Sequence, residues 1–458
     1  MFGIWGHKQA AEITYYGLHA MQHRGQDGAG IVVNDGSQLH LHKSTGLVND
    51  VFKDFDFTKF KGFAAIGNIW SKTENDKANH NVQPHVFHSL DGSMSIAHNG
   101  RIVNADKIRR RLEETGSIFQ TASDTELLAH LMRRNGIDSY EASLIEALQQ
   151  LSGAYGFIVM TNDKMYVALD PRGIRPLSLG RLGDSYVVAS ETCAFSIVGA
   201  TFEREIMPGE LLIFSQEGIE SKQILKQKKR SLCAMEYVYF SRPDSDLNHV
   251  NVHSARKRMG IELAKEHPVY DADVVTGVPD SSISAAIGYA EECGLPYEMG
   301  VIKNRYIGRT FIQPSQQLRN QGVKMKLSPV KGVVRGKKVV LIDDSIVRGT
   351  TSQRIVALLR EAGAKEVHLR ISSPPIEHPC YYGIDMSTRK ELIAANHHLE
   401  SMRQLIGADS LQFLSKEGME KAILKNETLE QGICAACMTG NYPVLEEDGI
   451  AHLNKRNE

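Results

Sequence analysis

Residues Val339–Thr351 read VVLIDDSIVRGTT. The first four are apolar and mostly β-branched, which predicts a buried strand. Two adjacent carboxylates, Asp343 and Asp344, follow at its end. A short loop from Ser345 to Gly349 comes next, then Thr350 and Thr351, and Ile355, Val356, Leu358 and Leu359 open a helical pattern. Strand, acidic pair, hydroxyl-rich loop and helix together form a site for a phosphorylated sugar. Loop amides at a helix N-terminus suit a phosphate dianion. The two carboxylates suit ribose hydroxyls, a Mg²⁺ ion, or positive charge developing on the sugar. The alternative is a buried strand running into a solvated acidic turn. Ser345, Gly349, Thr350 and Thr351 stand where a phosphate cradle needs them and favour the first reading.

The chain around this stretch is 458 residues long, enough for two or three domains. Its 53 basic and 54 acidic residues leave a net charge of -1, so no basic surplus points to nucleic acid. No apolar run reaches the length of a membrane span. No basic segment followed by an apolar core opens the chain, so no secretory signal is expected. Six cysteines in this length do not make a disulfide scaffold; a cytoplasmic enzyme with free or metal-bound thiols fits better.

Two compositional regimes divide the sequence. Up to about residue 225 the chain is rich in short strand-like runs, such as FAAIGNIW, YGFIVMTN and SYVVAS, with few helical stretches between them. That predicts sheets packed as a sandwich and flanked by helices. Lys222–Arg230 (KQILKQKKR) is a basic junction. From about residue 235, helical and strand patterns alternate, which predicts a parallel sheet with crossover helices. The expected domains are 1–228 and 229–458, the second ending in a polar helical tail from Ser387 onward. Cys434 and Cys437 form a C-x-x-C pair, with Cys233 and Cys380 far off in sequence. By spacing alone, four such thiols could bind zinc or a [4Fe–4S] cluster.

MQHRGQDGAGI (Met21–Ile31), AHNG (Ala97–Gly100), SDTE (Ser123–Glu126), YFSRPDS (Tyr239–Ser245), GVPDSS (Gly277–Ser282) and KNRYIGRTFIQPSQ (Lys303–Gln316) occur in this order. Together with Val339–Thr351 they resemble the glutamine phosphoribosylpyrophosphate (PRPP) amidotransferases over nearly the whole chain. The resemblance implies an N-terminal-nucleophile (Ntn) amidohydrolase αββα sandwich, α+β in class, followed by a type I phosphoribosyltransferase α/β domain. It implies the first step of de novo purine synthesis, in which PRPP and an amine donor give 5-phosphoribosylamine and pyrophosphate.

Site residues follow by the same resemblance. Ser345, Arg348, Gly349, Thr350 and Thr351 would hold the 5-phosphate. Asp343 and Asp344 would hold the ribose hydroxyls and, with Ser281, a Mg²⁺. Lys303, Arg305 and Arg309 would sit on a lid closing over PRPP. Asn99 and Gly100 would form the oxyanion pair of the glutaminase half, and Asp124 would bind the glutamine α-amino group. Cys233, Cys380, Cys434 and Cys437 match the branch of the family that carries a [4Fe–4S] cluster, through SLCAMEY, EHPCYYG and GICAACMTG. Cys193 and Cys293 have no such match and read as packed thiols. The resemblance also implies a cytoplasmic homotetramer inhibited by purine nucleotides, with no nucleic-acid or membrane partner.

Two departures bear on the glutaminase half. The family opens on a cysteine whose thiol attacks the glutamine amide, followed by Gly, Val or Ile, and Phe-Gly-Ile. Here the sequence opens Met1-Phe2-Gly3-Ile4-Trp5-Gly6-His7, with Met1 on the family's third position; the first cysteine is Cys193. Either the start is misplaced or the nucleophile is lost. The family's Gly-His-Val-Arg-Tyr-Ala-Thr is replaced by Gly67-Asn68-Ile69-Trp70-Ser71-Lys72-Thr73. The arginine there pairs with the glutamine α-carboxylate, and Trp70 cannot. No start codon explains Trp70. The expectation is a silent glutaminase half, with free ammonia as the amine donor. The alternatives are a glutamine-dependent enzyme with a misplaced start and a non-catalytic PRPP sensor. His23 and His98 are expected to be structural hydrogen-bonders.

Overall fold

The computed structural model of the chain describes residues 1–72, 79–90, 92–134, 139–304, 327–386, 388–424 and 431–444. Its N-terminal half is built on two antiparallel sheets. One has seven strands in the order Thr201–Glu205, Ser178–Leu182, Ser185–Ala189, Phe2–Trp5, Ala64–Trp70, Gly28–Asn34 and Leu39–Thr45. The other has six, in the order Gly218–Gln223, Glu210–Ser215, Met165–Leu169, Gly153–Met160, Gly92–Ile102 and His85–Ser89.

Strand alternation decides what each face covers. Trp5, Val32 and Ile66 face inward and meet Ile158, Val167 and Leu212 of the other sheet. Phe2, Ile4 and Val187 face outward onto the helices Ala10–Ala20 and Cys193–Val198, through Leu18 and Phe195. Helices Ala105–Glu114, Asp124–Arg134 and Tyr140–Gln149 cover the outer face of the six-stranded sheet through Ile108, Leu128 and Leu144. The result is the four-layer αββα sandwich expected from the sequence.

The C-terminal half carries a parallel sheet ordered Val274–Gly277, Lys338–Asp343, Glu366–Ile371 and Ser410–Phe413. Helices bury both of its faces. Val340 and Ile342 pack toward Met259 of helix Val252–Glu266 and Ala286 of helix Ile283–Cys293. Val339 and Leu341 pack toward Ile355 and Leu359 of helix Thr350–Glu361 and Met402 of helix Leu399–Ile406. This two-sided burial is why VVLI reads as a continuous apolar run.

The tail is not purely helical, as the sequence had suggested. Ser410–Phe413 is an edge strand, parallel to Glu366–Ile371. Only Leu411 and Phe413 of its four residues are buried, too short an alternation to stand out in sequence. A second parallel pair, Arg230–Cys233 with Gln431–Cys434, ties the start of this half to its end. Among the described residues, no helix is long and apolar enough to cross a membrane.

Candidate active sites

Parallel neighbours bring their C-terminal ends together, and the residues expected to form the transferase site lie there. Gly277 sits beside Ile342 in register, and the Val278 amide donates to the Ile342 carbonyl at 2.9 Å. The GVPDSS loop therefore lies against the acidic pair. Ser281 Oγ donates to Asp344 Oδ2. Ser282 Oγ donates to Asp343 Oδ1 at 3.2 Å, and Ser345 Oγ to Asp344 Oδ1 at 2.7 Å. Both aspartates are 6% exposed. Burial pushes both carboxyls up, Asp343 further through the charge of Asp344; the serine hydroxyls and Arg256 act against this at Asp344. Two adjacent buried carboxyls held by hydroxyl donors suit a cation or a ring of sugar hydroxyls.

The loop beyond them turns at Gly349, whose φ is +77°. Its amide precedes the helix Thr350–Glu361, leaving that helix N-terminus to face the loop. A Cβ at Gly349 would lie 2.6 Å from Ile393 Cδ1. Arg348 turns outward and donates to Glu391 Oε2 at 2.8 Å. Lys303 ends the strand Val301–Lys303 and donates to Asp280 Oδ2 at 3.0 Å, beside the GVPDSS loop. Arg305 and Arg309 lie outside the described residues.

The amide half gathers a second set of expected site residues. Asn99 and Gly100 belong to the strand Gly92–Ile102, where Gly100 has φ +130°. A Cβ at Gly100 would overlap the Ala154 carbonyl, so the position requires glycine. Asn99 Nδ2 is buried without a hydrogen-bond partner in the described structure. Asp124 is brought to the same strand end: its Oδ2 accepts from the Ile102 amide at 2.9 Å. Burial raises its carboxyl, against that amide and the charges of Arg101 and Arg109. Trp70 is 9% exposed, and its carbonyl accepts from the Asp27 amide at 3.1 Å.

His23 is a hydrogen-bonder as expected, whereas His98 Nε2 is buried without a hydrogen-bond partner among the described residues. His23 Nε2 lies 2.6 Å from Glu191 Oε1. His98 stacks on Phe157 at 4.4 Å between ring centres, and burial, with Arg175 near, lowers it to about 3. It is therefore neutral at physiological pH.

A buried ion network joins the two halves, and no spacing in the sequence announces it. Arg24 donates to Glu191 Oε1 at 2.5 Å and to Glu236 Oε1 at 2.8 Å. Arg175 donates to the same Glu236 oxygen at 3.0 Å and to the Tyr382 carbonyl at 3.2 Å. Only Arg24, inside MQHRG, could have been suspected from its motif.

Four of the six cysteines converge. Cys233 and Cys434 are register partners in the parallel pair, and Cys437 follows on the next turn. The Cys437 carbonyl accepts from the Glu377 and His378 amides at 3.0 and 2.9 Å, which draws the Cys380 loop alongside. Burial pushes Cys233 up to about 12, and Cys380 adds to the shift. Burial also raises Cys437, with the charges of Cys380, Cys233 and Cys434 behind it. Even so, no group of three or more His, Cys, Asp or Glu among the described residues is arranged to hold a metal ion.

This fold and these sites define a phosphoribosyltransferase coupled to a glutamine amidotransferase-type domain. Residues 71–196 match the glutamine amidotransferase domain family, and residues 251–379 match the phosphoribosyl transferase domain family. The amidophosphoribosyltransferase of Bacillus subtilis (strain 168) is 60% identical over 459 residues, covering 99% of this chain and 96% of that one. That of Staphylococcus aureus (strain COL) is 47% identical over 465 residues, covering 100% and 94%. A solved structure of glutamine PRPP amidotransferase from B. subtilis, complexed with ADP and GMP, superposes with a TM-score of 0.93. It is 59% identical and covers 98% of each chain. The chain belongs to the amidophosphoribosyltransferase family, which catalyses the first step of purine biosynthesis.

Proposed function

We propose that this chain forms 5-phosphoribosylamine from PRPP with free ammonia as the amine donor. The observation that carries the transferase site is the convergence of Asp343, Asp344, Ser281 and Ser345 at the C-terminal ends of two neighbouring parallel strands. The domains divide as 1–228 and 229–458. Asp343 and Asp344 accept from the ribose hydroxyls, and the loop from Ser345 through Gly349, Thr350 and Thr351 donates to the 5-phosphate. Arg348 belongs to that phosphate loop, and Lys303, Arg305 and Arg309 supply cations from the lid segment. Closure excludes water and places charge at the leaving pyrophosphate. Pyrophosphate loss builds positive character on the anomeric carbon, and the buried carboxylates stabilise it while ammonia attacks.

Mg²⁺ would be held by Asp343 and Asp344 with Ser281 and would neutralise the pyrophosphate oxygens. Four thiolates are the ligand set of a [4Fe–4S] cluster, and Cys233, Cys380, Cys434 and Cys437 supply that number. Cys233, Cys380, Cys434 and Cys437 would then pin the C-terminal segment to the transferase core. Purine nucleotides fit as inhibitors, given the ADP and GMP of the B. subtilis complex. A cytoplasmic homotetramer accords with the family.

Trp70 supports ammonia over glutamine, since an indole cannot pair with the α-carboxylate. The unpaired Asn99 amide and the retained Gly100 and Asp124 favour a second reading, in which glutamine is still bound. The test uses purified protein with PRPP and Mg²⁺. Ammonium at alkaline pH should release pyrophosphate, glutamine should not replace it, and Asp343→Ala with Asp344→Ala should abolish turnover. No pyrophosphate from the wild type would return the sensor reading. Turnover at low glutamine would establish the second.

A further inference from the structure

Three consecutive residues of the loop beyond the acidic pair meet one short segment, residues 389–396. The Ile393 amide donates to the Val347 carbonyl at 2.9 Å. Arg348 Nη2 donates to Glu391 Oε2 at 2.8 Å. The Ile393 side chain fills the space that a Cβ on Gly349 would take, with Cδ1 2.6 Å from that position. The segment is a 3₁₀ turn, Arg389–Glu391, followed by one helical turn, Ile393–Asn396. Its own main chain is tied by Asn396, whose Nδ2 donates to the Leu392 carbonyl at 2.7 Å and the Arg389 carbonyl at 3.1 Å. Leu392 belongs to the core on one face of the parallel sheet, and Ile393 packs onto the core of the other. The segment is thus rooted on both sides before it touches the loop. Loop amides hold a phosphate only when they converge, so whatever fixes the curve of the loop also sets its affinity.

We propose that residues 389–396 brace the 5-phosphate loop from outside, with Ile393 and Glu391 as positioning residues and the Arg348 side chain as their tether. This rests on residues 345–351 holding the 5-phosphate of PRPP. It assigns the Arg348 guanidinium to the shape of the loop, while its main chain stays part of the cradle.

Charge alone predicts the opposite role for Glu391, an anion that occupies a cation of the loop. If Glu391 held a phosphate-binding arginine off its ligand, Glu391→Gln would release Arg348 and tighten PRPP binding. A tether predicts that the same variant loosens the loop and weakens binding. The sign of the change separates the two.

The experiment measures Kd for PRPP with Mg²⁺ by isothermal titration, and KM and kcat with ammonium, in the full chain. Ile393→Ala should raise Kd and KM about tenfold with kcat within about twofold of wild type, as lost ground-state binding requires. Ile393→Val keeps the branched side chain and should stay within about threefold of wild type. Glu391→Gln should raise Kd about two- to fivefold, the range of a surface ion pair. Arg348→Met should match it, and the double variant should be no worse than either single, because both remove one interaction. Equal or tighter binding in Glu391→Gln overturns the proposal. So does a loss in Arg348→Met far beyond that in Glu391→Gln, which would make the guanidinium a phosphate contact. Unchanged Kd in Ile393→Ala, with only a lower thermal midpoint, would make the segment a stability element and overturn it too. If Ile393→Ala does not fold, Glu391→Gln decides, because its ion pair lies at the surface. Wild-type PRPP binding in the Asp343→Ala, Asp344→Ala variant would instead overturn the PRPP reading. Loss of binding there, with wild-type Kd in the brace variants, would overturn the brace alone.

Discussion

At the scale of the residue, the proposed use of ammonia turns on one indole. Trp70 closes its strand in a nearly buried position, within a hydrogen bond of Asp27 through its carbonyl. Two residues expected to form the oxyanion pair keep their geometry: the Asn99 amide is buried without a hydrogen-bond partner among the described residues, and Gly100 keeps a conformation that only glycine tolerates. A charge-assisted fork to a carboxylate contributes about 1.5–3 kcal/mol, or about 10–150-fold in affinity. Trp70→Arg should therefore gain glutamine binding by that factor, read by isothermal titration, with PRPP turnover on ammonia unchanged. Binding rather than hydrolysis is the proper readout, because it isolates the carboxylate contact from the thiol chemistry. Equal glutamine affinity in both proteins would mean that another cation, such as Arg101 beside Asp124, already serves.

At the scale of the element, glycine decides how closely two helices approach. A Cβ on Gly288 would overlap the Lys257 carbonyl, and one on Gly260 would overlap the Ala285 carbonyl. This close crossing sets the helix Val252–Glu266, and with it Arg256, against the sheet. Gly288→Ala should cost about 1–3 kcal/mol through overpacking. Gly332→Ala is the control: nothing lies within 4 Å of its Cβ, so it should be neutral or gain up to about 1 kcal/mol. Urea midpoints of the two variants check this; equal losses would show that the crossing relaxes freely. Elements differ in how plainly the sequence declares them. Val339–Asp343 was legible because an apolar run meets a sharp polar end. Ser410–Phe413 was not, because two buried residues carry no period. The Cys233–Cys434 pairing was legible only through resemblance, since the parallel register linking them spans the whole C-terminal half.

At the scale of the molecule, the junction between the halves is electrostatic, and this was the least legible feature of all. Arg24 and Glu236 are 212 positions apart, and no periodicity relates them. Phosphate loops and acidic turns are local, so sequence shows them; a counter-ion supplied by another domain is not local. Burial acts to raise the Glu236 carboxyl, but Arg24 and Arg175 more than offset it and hold it below its ordinary value. Burial likewise acts on Glu191, and Arg24 and His23 again prevail. Both groups are therefore ionised more readily folded than unfolded. Their contribution is fully present above the unfolded glutamate value of about 4.3 and is lost as pH falls through the depressed folded values. Glu236→Gln leaves Arg24 and Arg175 buried and under-compensated, and should cost about 3–5 kcal/mol at neutral pH. The gap between wild type and Glu236→Gln should then narrow on acidification below about pH 4, as the wild type loses the same charge by protonation. Thermal midpoints of both proteins from neutral pH downward measure it. A gap that stays constant would mean that Glu236 acts through its shape and hydrogen bonds rather than its charge, and the junction would be a polar seam rather than an ionic one.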